Sequence, residues 1–163
     1  TARNGATTDL ATLERVARFA DDQMVSWQEW HYCGCDDPTT TGPGDTQALV
    51  RDPARPPQGD NVFTDKLAAL ARPYPQLIAG TPRSWSFDPG DRSFELTYTP
   101  RRARGSGRFR RGTSLIFLPA IQYPKGYRAD VAGARVVSAR GSKRLLLRAD
   151  RGATRVELRV TAR

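Results

Sequence analysis

The sequence predicts an α/β segment followed by an antiparallel all-β sandwich of about seven strands, and three observations support this order. Apolar residues recur at helical spacing early in the chain, whereas from Ser84 they alternate with polar residues. Glycines separate the alternating runs, as turns between short strands require. The charge also changes, because residues 1–100 hold 9 Lys/Arg and 14 Asp/Glu, whereas residues 101–163 hold 17 and 3.

Two helices are predicted in the first part. The first covers residues 9–23, where apolar residues recur at three- and four-residue spacing: Leu10, Leu13, Val16, Ala17 and Ala20. The second covers residues 62–71. Arg72 follows at the C-terminal end, where the helix dipole favours a cation, and Pro73 stops the helix.

An aromatic stretch from Met24 to Cys33 predicts a strand between these helices. It opens into a long loop over residues 34–61, rich in Pro, Gly and Asp, in which Ala48-Leu49-Val50 predicts a short paired segment. An aromatic strand that leads into a polar loop suits the floor and rim of a binding cleft. A buried aromatic strand beside a solvated loop fits the same composition, since Trp and Tyr are common in cores.

Both cysteines lie in the tripeptide Cys33-Gly34-Cys35. Three states fit them: a local disulfide, buried free thiols or metal ligands. Two thiols and the neighbouring His31 fall short of the four ligands of a structural zinc site. A disulfide between them stiffens the loop and fits an exported protein.

Seven alternating runs predict the strands of the sandwich, the first two joined by the turn Asp88-Pro89-Gly90-Asp91. The runs are Ser84–Phe87, Phe94–Tyr98, Thr113–Leu118, Tyr127–Val131, Ala134–Ser138, Lys143–Arg148 and Thr154–Val160. In the last run we expect Val156, Leu158 and Val160 to point inward, and the charged residues between them to point outward.

The overall composition is that of a globular protein, and one basic segment stands out. Hydrophobic residues make up 38% of the 163 positions, and no apolar run approaches the ~20 residues of a membrane span. The segment 101–111 is a candidate contact for an anionic surface through Arg101, Arg102, Arg104, Arg108, Arg110 and Arg111. A solvated loop fits it equally. Nucleic acid is disfavoured, because only Phe109 in this segment could stack on a base.

Three separated motifs resemble the C-terminal part of bacterial endoglycosylceramidases, which are family-five glycoside hydrolases. They are Gly5-Ala6-Thr7, the run Trp27-Gln28-Glu29-Trp30-His31-Tyr32-Cys33-Gly34-Cys35-Asp36-Asp37-Pro38-Thr39-Thr40, and Arg72-Pro73-Tyr74-Pro75-Gln76-Leu77-Ile78-Ala79-Gly80-Thr81-Pro82. They occur in the family's order, and Ser84-Trp85-Ser86-Phe87-Asp88 and Phe117-Leu118-Pro119 fit the family's terminal β-sandwich as well, so the resemblance covers almost the whole chain.

The resemblance implies that residues 1–75 are the last helix–strand–helix of a (β/α)8 barrel and that residues 76–163 are the terminal β-sandwich. Active sites of such barrels lie at the C-terminal ends of the strands. Trp30 then forms an apolar platform beneath a sugar ring. Tyr32, Asp36 and Asp37 complete the implied substrate-binding residues at the rim of the cleft.

The resemblance assigns no catalytic residue to this chain. A retaining glycosidase needs two carboxyl groups about 5–5.5 Å apart. In the family the acid/base glutamate belongs to strand four. The nucleophilic glutamate lies two positions before Gly-Ala-Thr, where this sequence has Arg3. Neither glutamate position is filled, so we expect the chain alone to be inactive.

The expected function is therefore that of the C-terminal portion of an enzyme that hydrolyses the bond between oligosaccharide and ceramide in glycosphingolipids. No cofactor or metal is implied. The expected partners are a glycolipid or oligosaccharide substrate, an N-terminal barrel portion and a membrane surface, in a secreted or cell-surface setting. The alternative is a noncatalytic sandwich that binds carbohydrate or lipid surfaces through an exposed Trp85 or the basic segment.

Overall fold

A computed structural model describes residues 7–29, 32–33, 48–104, 107–109 and 112–163. These residues divide into two compact units, one comprising residues 7–20, 25–29, 32–33 and 48–70 and the other residues 21–24, 71–104, 107–109 and 112–163. In the described part of the chain, no helix combines the length and the hydropathy needed to cross a membrane.

The first unit contains most of helix α1 (Thr7–Gln23), a short 3-10 turn (Gly59–Asn61) and helix α2 (Thr64–Leu70). The predicted helix over 9–23 is confirmed, and α1 ends where Met24 takes a left-handed conformation with φ of 54°. The second helix is shorter than the predicted 62–71. Val62 is not helical because it pairs with Val50 in an antiparallel bridge. The predicted pairing of Ala48–Val50 is thereby confirmed.

Over the residues that the structure describes, the second unit contains eight antiparallel strands in two sheets. They are β1 (Tyr74–Leu77), β2 (Thr81–Asp88), β3 (Ser93–Thr99), β4 (Thr113–Phe117), β5 (Tyr127–Ala132), β6 (Ala134–Val136), β7 (Arg144–Ala149) and β8 (Val156–Ala162). The first sheet has the order β1-β4-β7-β6, and the second has the order β2-β3-β8-β5. The β-sandwich prediction holds, while the count of about seven strands was one too low.

The additional strand is β1, which lies at the edge of the first sheet. Its register with β4 shifts between Pro75 and Leu77. Proline lacks an N–H group for the ladder and is therefore confined mainly to edge strands and bulges. The same proline obscured the strand in the sequence, because it interrupts the alternation that identifies strands.

The core lies between the sheets and follows the predicted alternation. On β8, Val156, Leu158 and Val160 are buried, and the residues between them are exposed, as predicted. Burial raises the pKa of the Tyr98 phenol, a core residue on β3, because the ionised form loses its hydration.

The chain passes from β5 to β6, and so from the second sheet to the first, at a single, tightly packed position. Gly133 separates β5 of the second sheet from β6 of the first, and has φ of +73°. A Cβ atom there would lie 2.1 Å from the carbonyl oxygen of Arg155. Only glycine fits this link without strain.

Candidate functional site

The described part of the predicted cleft centres on Tyr32 and Cys33. The Tyr32 side chain is 51% exposed. Its carbonyl oxygen accepts hydrogen bonds from the N–H groups of Leu49, at 3.1 Å, and Val50, at 2.8 Å. Cys33 pairs with Val50 in a parallel bridge and is disulfide-bonded. An exposed phenol on a fixed backbone suits contact with a sugar, since its ring is apolar and its hydroxyl is polar.

The remaining residues predicted for the cleft lie outside the described residues. These are Trp30, Asp36 and Asp37, together with Cys35 and His31. Their assignment as substrate-binding or disulfide residues stays a prediction. Arg3, which the resemblance places at a glutamate position of the family, also lies outside the described part.

The strand predicted over residues 24–33 is not formed across Val25–Glu29, which belong to no ladder in the structure. A β-strand requires a hydrogen-bonded neighbour, and the described residues supply one only at Cys33, through Val50. Alternation of aromatic and polar residues alone therefore overstated the extent of pairing.

Asn61 holds the loop that supports Tyr32 and Cys33. It is fully buried, and its amide nitrogen donates hydrogen bonds to the carbonyl oxygens of Asp52, Arg55 and Pro56, at 2.9, 3.2 and 3.0 Å. Its amide oxygen accepts from the N–H of Asp52 at 2.9 Å. Four bonds to one side chain fix the turn that follows Val50. Nothing in the sequence distinguishes Asn61, because Asn is common in any polar loop.

A buried ion pair fixes the end of α1 within the second unit. Arg72 donates to Oδ2 of Asp21 from Nη2, at 2.6 Å, and from Nε, at 3.2 Å. Trp85 donates its indole N–H to Oδ1 of the same carboxylate at 3.1 Å. Arg72 also donates to the carbonyl oxygen of Phe87 at 3.1 Å, and its guanidinium lies 5.0 Å from the Phe87 ring centre. Every side chain in this cluster therefore has a partner.

This cluster corrects two expectations. Arg72 does not serve as the C-terminal cation of α2, which ends at Leu70; it is 6% exposed and pairs with Asp21. Trp85 is not an exposed binding residue, because it packs partly buried against the core and its donor is used. The register explains the second correction, since Trp85 pairs with the inward-facing Leu96.

The basic segment divides into exposed and engaged arginines. Arg101, Arg102 and Arg104 are exposed, and the guanidinium of Arg102 lies 5.4 Å from the Phe109 ring centre. Arg108 donates to the carbonyl oxygens of Asp150 and Ala153, which orders the turn between β7 and β8. Arg110 and Arg111 lie outside the described residues. Contact of these six arginines with an anionic surface stays a prediction.

Comparison with known families identifies the second unit. The family model described as the glycoside hydrolase family 5 C-terminal domain matches residues 72–161. The chain belongs to this family. The match begins at Arg72 of the buried pair and extends through β8 to Thr161, so the domain coincides with the sandwich.

Individual relatives extend the similarity toward the N-terminus. The chain is 31% identical over 142 residues to endoglycoceramidase I of Rhodococcus hoagii (strain 103S), which covers 87% of this chain and 23% of that protein. It is 35% identical over 66 residues to an endoglycoceramidase of Hydra vulgaris, which covers 40% of this chain and 12% of that protein.

Solved structures are also similar to this chain over nearly its whole length. Endo-glycoceramidase II from Rhodococcus sp. superposes with a TM-score of 0.60 and 27% identity, over 97% of this chain and 30% of that one. Sterylglucosidase 1 of Cryptococcus neoformans shares the fold, with a TM-score of 0.69 at 15% identity, over 96% of this chain and 24% of that one. The chain therefore spans less than a third of the length of these relatives.

Proposed function

We propose that this chain acts as the C-terminal portion of a retaining endo-β-glycosidase that hydrolyses the bond between oligosaccharide and ceramide in glycosphingolipids. The observation that carries the proposal is the 31% identity to endoglycoceramidase I across 87% of the chain. Structures of the related Rhodococcus enzyme include a lactosyl-enzyme intermediate and a complex with ganglioside GM3. A covalent glycosyl-enzyme is the intermediate of double displacement.

In this proposal the chain contributes binding and support, while the two carboxyl groups of the reaction belong to a preceding barrel portion. Residues 1–75 supply the last helix–strand–helix of that barrel, and residues 76–163 supply the sandwich. Trp30 forms the sugar platform, and Tyr32, Asp36 and Asp37 line the rim. The exposed ring of Tyr32 and its backbone anchorage to Leu49 and Val50 support this role.

A pair of chimeras tests the proposal. In the first, residues 5–163 follow the barrel portion of Rhodococcus endo-glycoceramidase II, which keeps the glutamate of that enzyme two positions before Gly5. In the second, the junction lies at Thr1, so that Arg3 replaces that glutamate. We expect the first chimera to release lactose from lactosylceramide and the second to be inactive, because a guanidinium cannot act as a nucleophile.

Variants of the first chimera test the binding residues. Trp30→Ala removes the proposed platform, and we expect it to raise KM by about tenfold to a hundredfold, since a stacking contact contributes roughly 1.5–3 kcal/mol. Trp85→Phe is the matched aromatic control, because Trp85 bonds to Asp21 and faces the core; its KM should stay unchanged. A folded first chimera without activity would refute the proposal, and hydrolysis by the chain alone would refute the assignment of the carboxyl groups.

We also propose a secreted or cell-surface location. The disulfide at Cys33 supports it, because such bonds persist in oxidising compartments. Alkylation of the native protein in its producing cells, followed by mass spectrometry, should find no free thiol at Cys33. Full alkylation there would contradict this location.

A second candidate is a noncatalytic carbohydrate- or lipid-surface module, favoured by the exposed Arg101, Arg102 and Arg104. Its test is co-sedimentation of the triple variant R101Q/R102Q/R104Q with anionic vesicles. If the unchanged chain binds in a salt-sensitive manner and the triple variant binds much more weakly, the basic segment is supported as the contact. Equal binding of the two proteins would rule out this segment as the contact.

A further inference from the structure

On the outer face of the first sheet, side chains of residues that pair across adjacent strands line up in rows. Leu77 on β1, Leu115 on β4 and Leu146 on β7 lie opposite one another. Val137 follows β6 and donates its N–H to the Leu146 carbonyl oxygen at 2.9 Å, so it extends this row to the sheet edge. The row crosses β1, β4 and β7 and continues to the residue that follows β6.

The neighbouring row continues the apolar surface. Tyr74 lies opposite Phe117, which lies opposite Arg144, and the two rings are 5.6 Å apart. On β4 and β7, the residues of the two rows alternate with Ile116 and Leu145, which are buried in the core. The apolar side chains of both rows therefore face away from the sandwich. Leu77 is 59% exposed and Tyr74 is 42% exposed.

Three arginines flank the two rows. Arg144 ends the aromatic row, and Arg148 forms a third row with Thr113 and Arg135. Within the described residues, no carboxylate pairs with Arg144 or Arg148. Arg135 reaches only Asp150, at 4.0 Å with both groups exposed. The outward positions of these rows include no acidic residue, so the surface is apolar and positively charged.

We propose that this outer face docks on an anionic lipid bilayer. Apolar side chains that enter the interface gain burial, and arginines beside them attract acidic headgroups. A flat sugar platform is disfavoured, because the Tyr74 and Phe117 rings are inclined by 53°. A second copy stacked on the same face would supply no acidic partner for the arginines. The proposal concerns this face alone and holds whether or not the chain serves a glycolipid hydrolase.

The test is sedimentation of the full chain with vesicles of phosphatidylcholine, with and without about a quarter phosphatidylglycerol, at low salt and at about 0.5 M salt. We expect strong binding only to the vesicles that contain phosphatidylglycerol. Part of this binding should persist at high salt, because salt screens the arginines but leaves the apolar contacts.

Three variants locate the contact. R144Q/R148Q should weaken binding by roughly thirtyfold at low salt, at about fivefold per arginine. Leu77→Ser should weaken the binding that persists at high salt by about tenfold. The matched control R155Q/R159Q removes the same charge from the second sheet, where both arginines pair with glutamates; binding should change by less than about threefold.

All variants lie at exposed or edge positions, and circular dichroism with a thermal melt verifies that each is folded. An equal loss in R155Q/R159Q would overturn the proposal, because binding would then follow net charge alone. Absence of vesicle binding would also overturn it. So would a dimer in light scattering that Leu77→Ser dissociates, because the face would then be covered by a second copy.

Discussion

The outer faces of the two sheets differ in chemistry, although both sheets contribute to the same core. On β8 of the second sheet, the outward residues Glu157 and Arg159 are charged. On β4 of the first sheet, the outward residues Leu115 and Phe117 are apolar. Both strands alternate buried and less buried residues, so alternation alone does not distinguish the two faces.

Charges on the second sheet are paired on the surface. Arg159 lies 3.4 Å from Glu95 on the adjacent strand, Arg155 lies 2.8 Å from Glu157, and a shallow depression of about 460 Å³ runs above them. These ion pairs are exposed, with 54–63% of each side chain accessible, which suits contact with water. The outer face of the first sheet exposes apolar rows beside Arg144 and Arg148, for which the described residues offer no carboxylate, and this indicates a surface that meets something other than water.

The sharpest contrast lies between buried and exposed ion pairs. Arg72→Met removes one partner of the buried pair and leaves Asp21 without its cation. We expect a loss of about 3–5 kcal/mol in the free energy of unfolding, measured by urea denaturation. The control Arg159→Met removes an exposed partner of Glu95 and should cost less than about 1 kcal/mol. Similar losses for both variants would contradict the distinction between the two environments.

A second comparison probes the two faces of one strand. Ile116 on β4 is fully buried, and Ile116→Ala should lower the free energy of unfolding by about 2–5 kcal/mol through the cavity it leaves. Leu115→Ala changes the neighbouring residue on the outer face and should cost about 1 kcal/mol or less, because Leu115 stays in contact with solvent. Equal costs would show that the outer row belongs to a second core.

The smallest expected effect concerns the exposed ion pair between Glu95 and Arg159 on adjacent strands. A double-mutant cycle with Glu95→Gln and Arg159→Gln should give a coupling energy of about 0.2–1 kcal/mol, which decreases as salt is added. The cycle isolates the pair from the separate effect of each substitution. A coupling above about 2 kcal/mol that resists salt would mean that this face is shielded from solvent.

Local signals in the sequence were sufficient for much of the fold. The spacing of Leu10 to Ala20 predicted α1, and Val156, Leu158 and Val160 predicted the inner face of β8. The turn at Asp88–Asp91 forms as expected, because the N–H groups of Gly90 and Ser93 donate to the Asp88 and Asp91 carboxylates. The motif around Arg72 also indicated the family that the comparison identified.

Other features depend on residues far apart in the sequence, and only the tertiary structure decided them. Arg72 reaches Asp21 across 51 positions, so nothing near either residue indicates that both are buried. Whether an aromatic residue is a platform or a core residue depends on its register, and Trp85 proved to face inward. Local periodicity sets which side chains share a face, whereas pairing between distant strands sets what that face contacts.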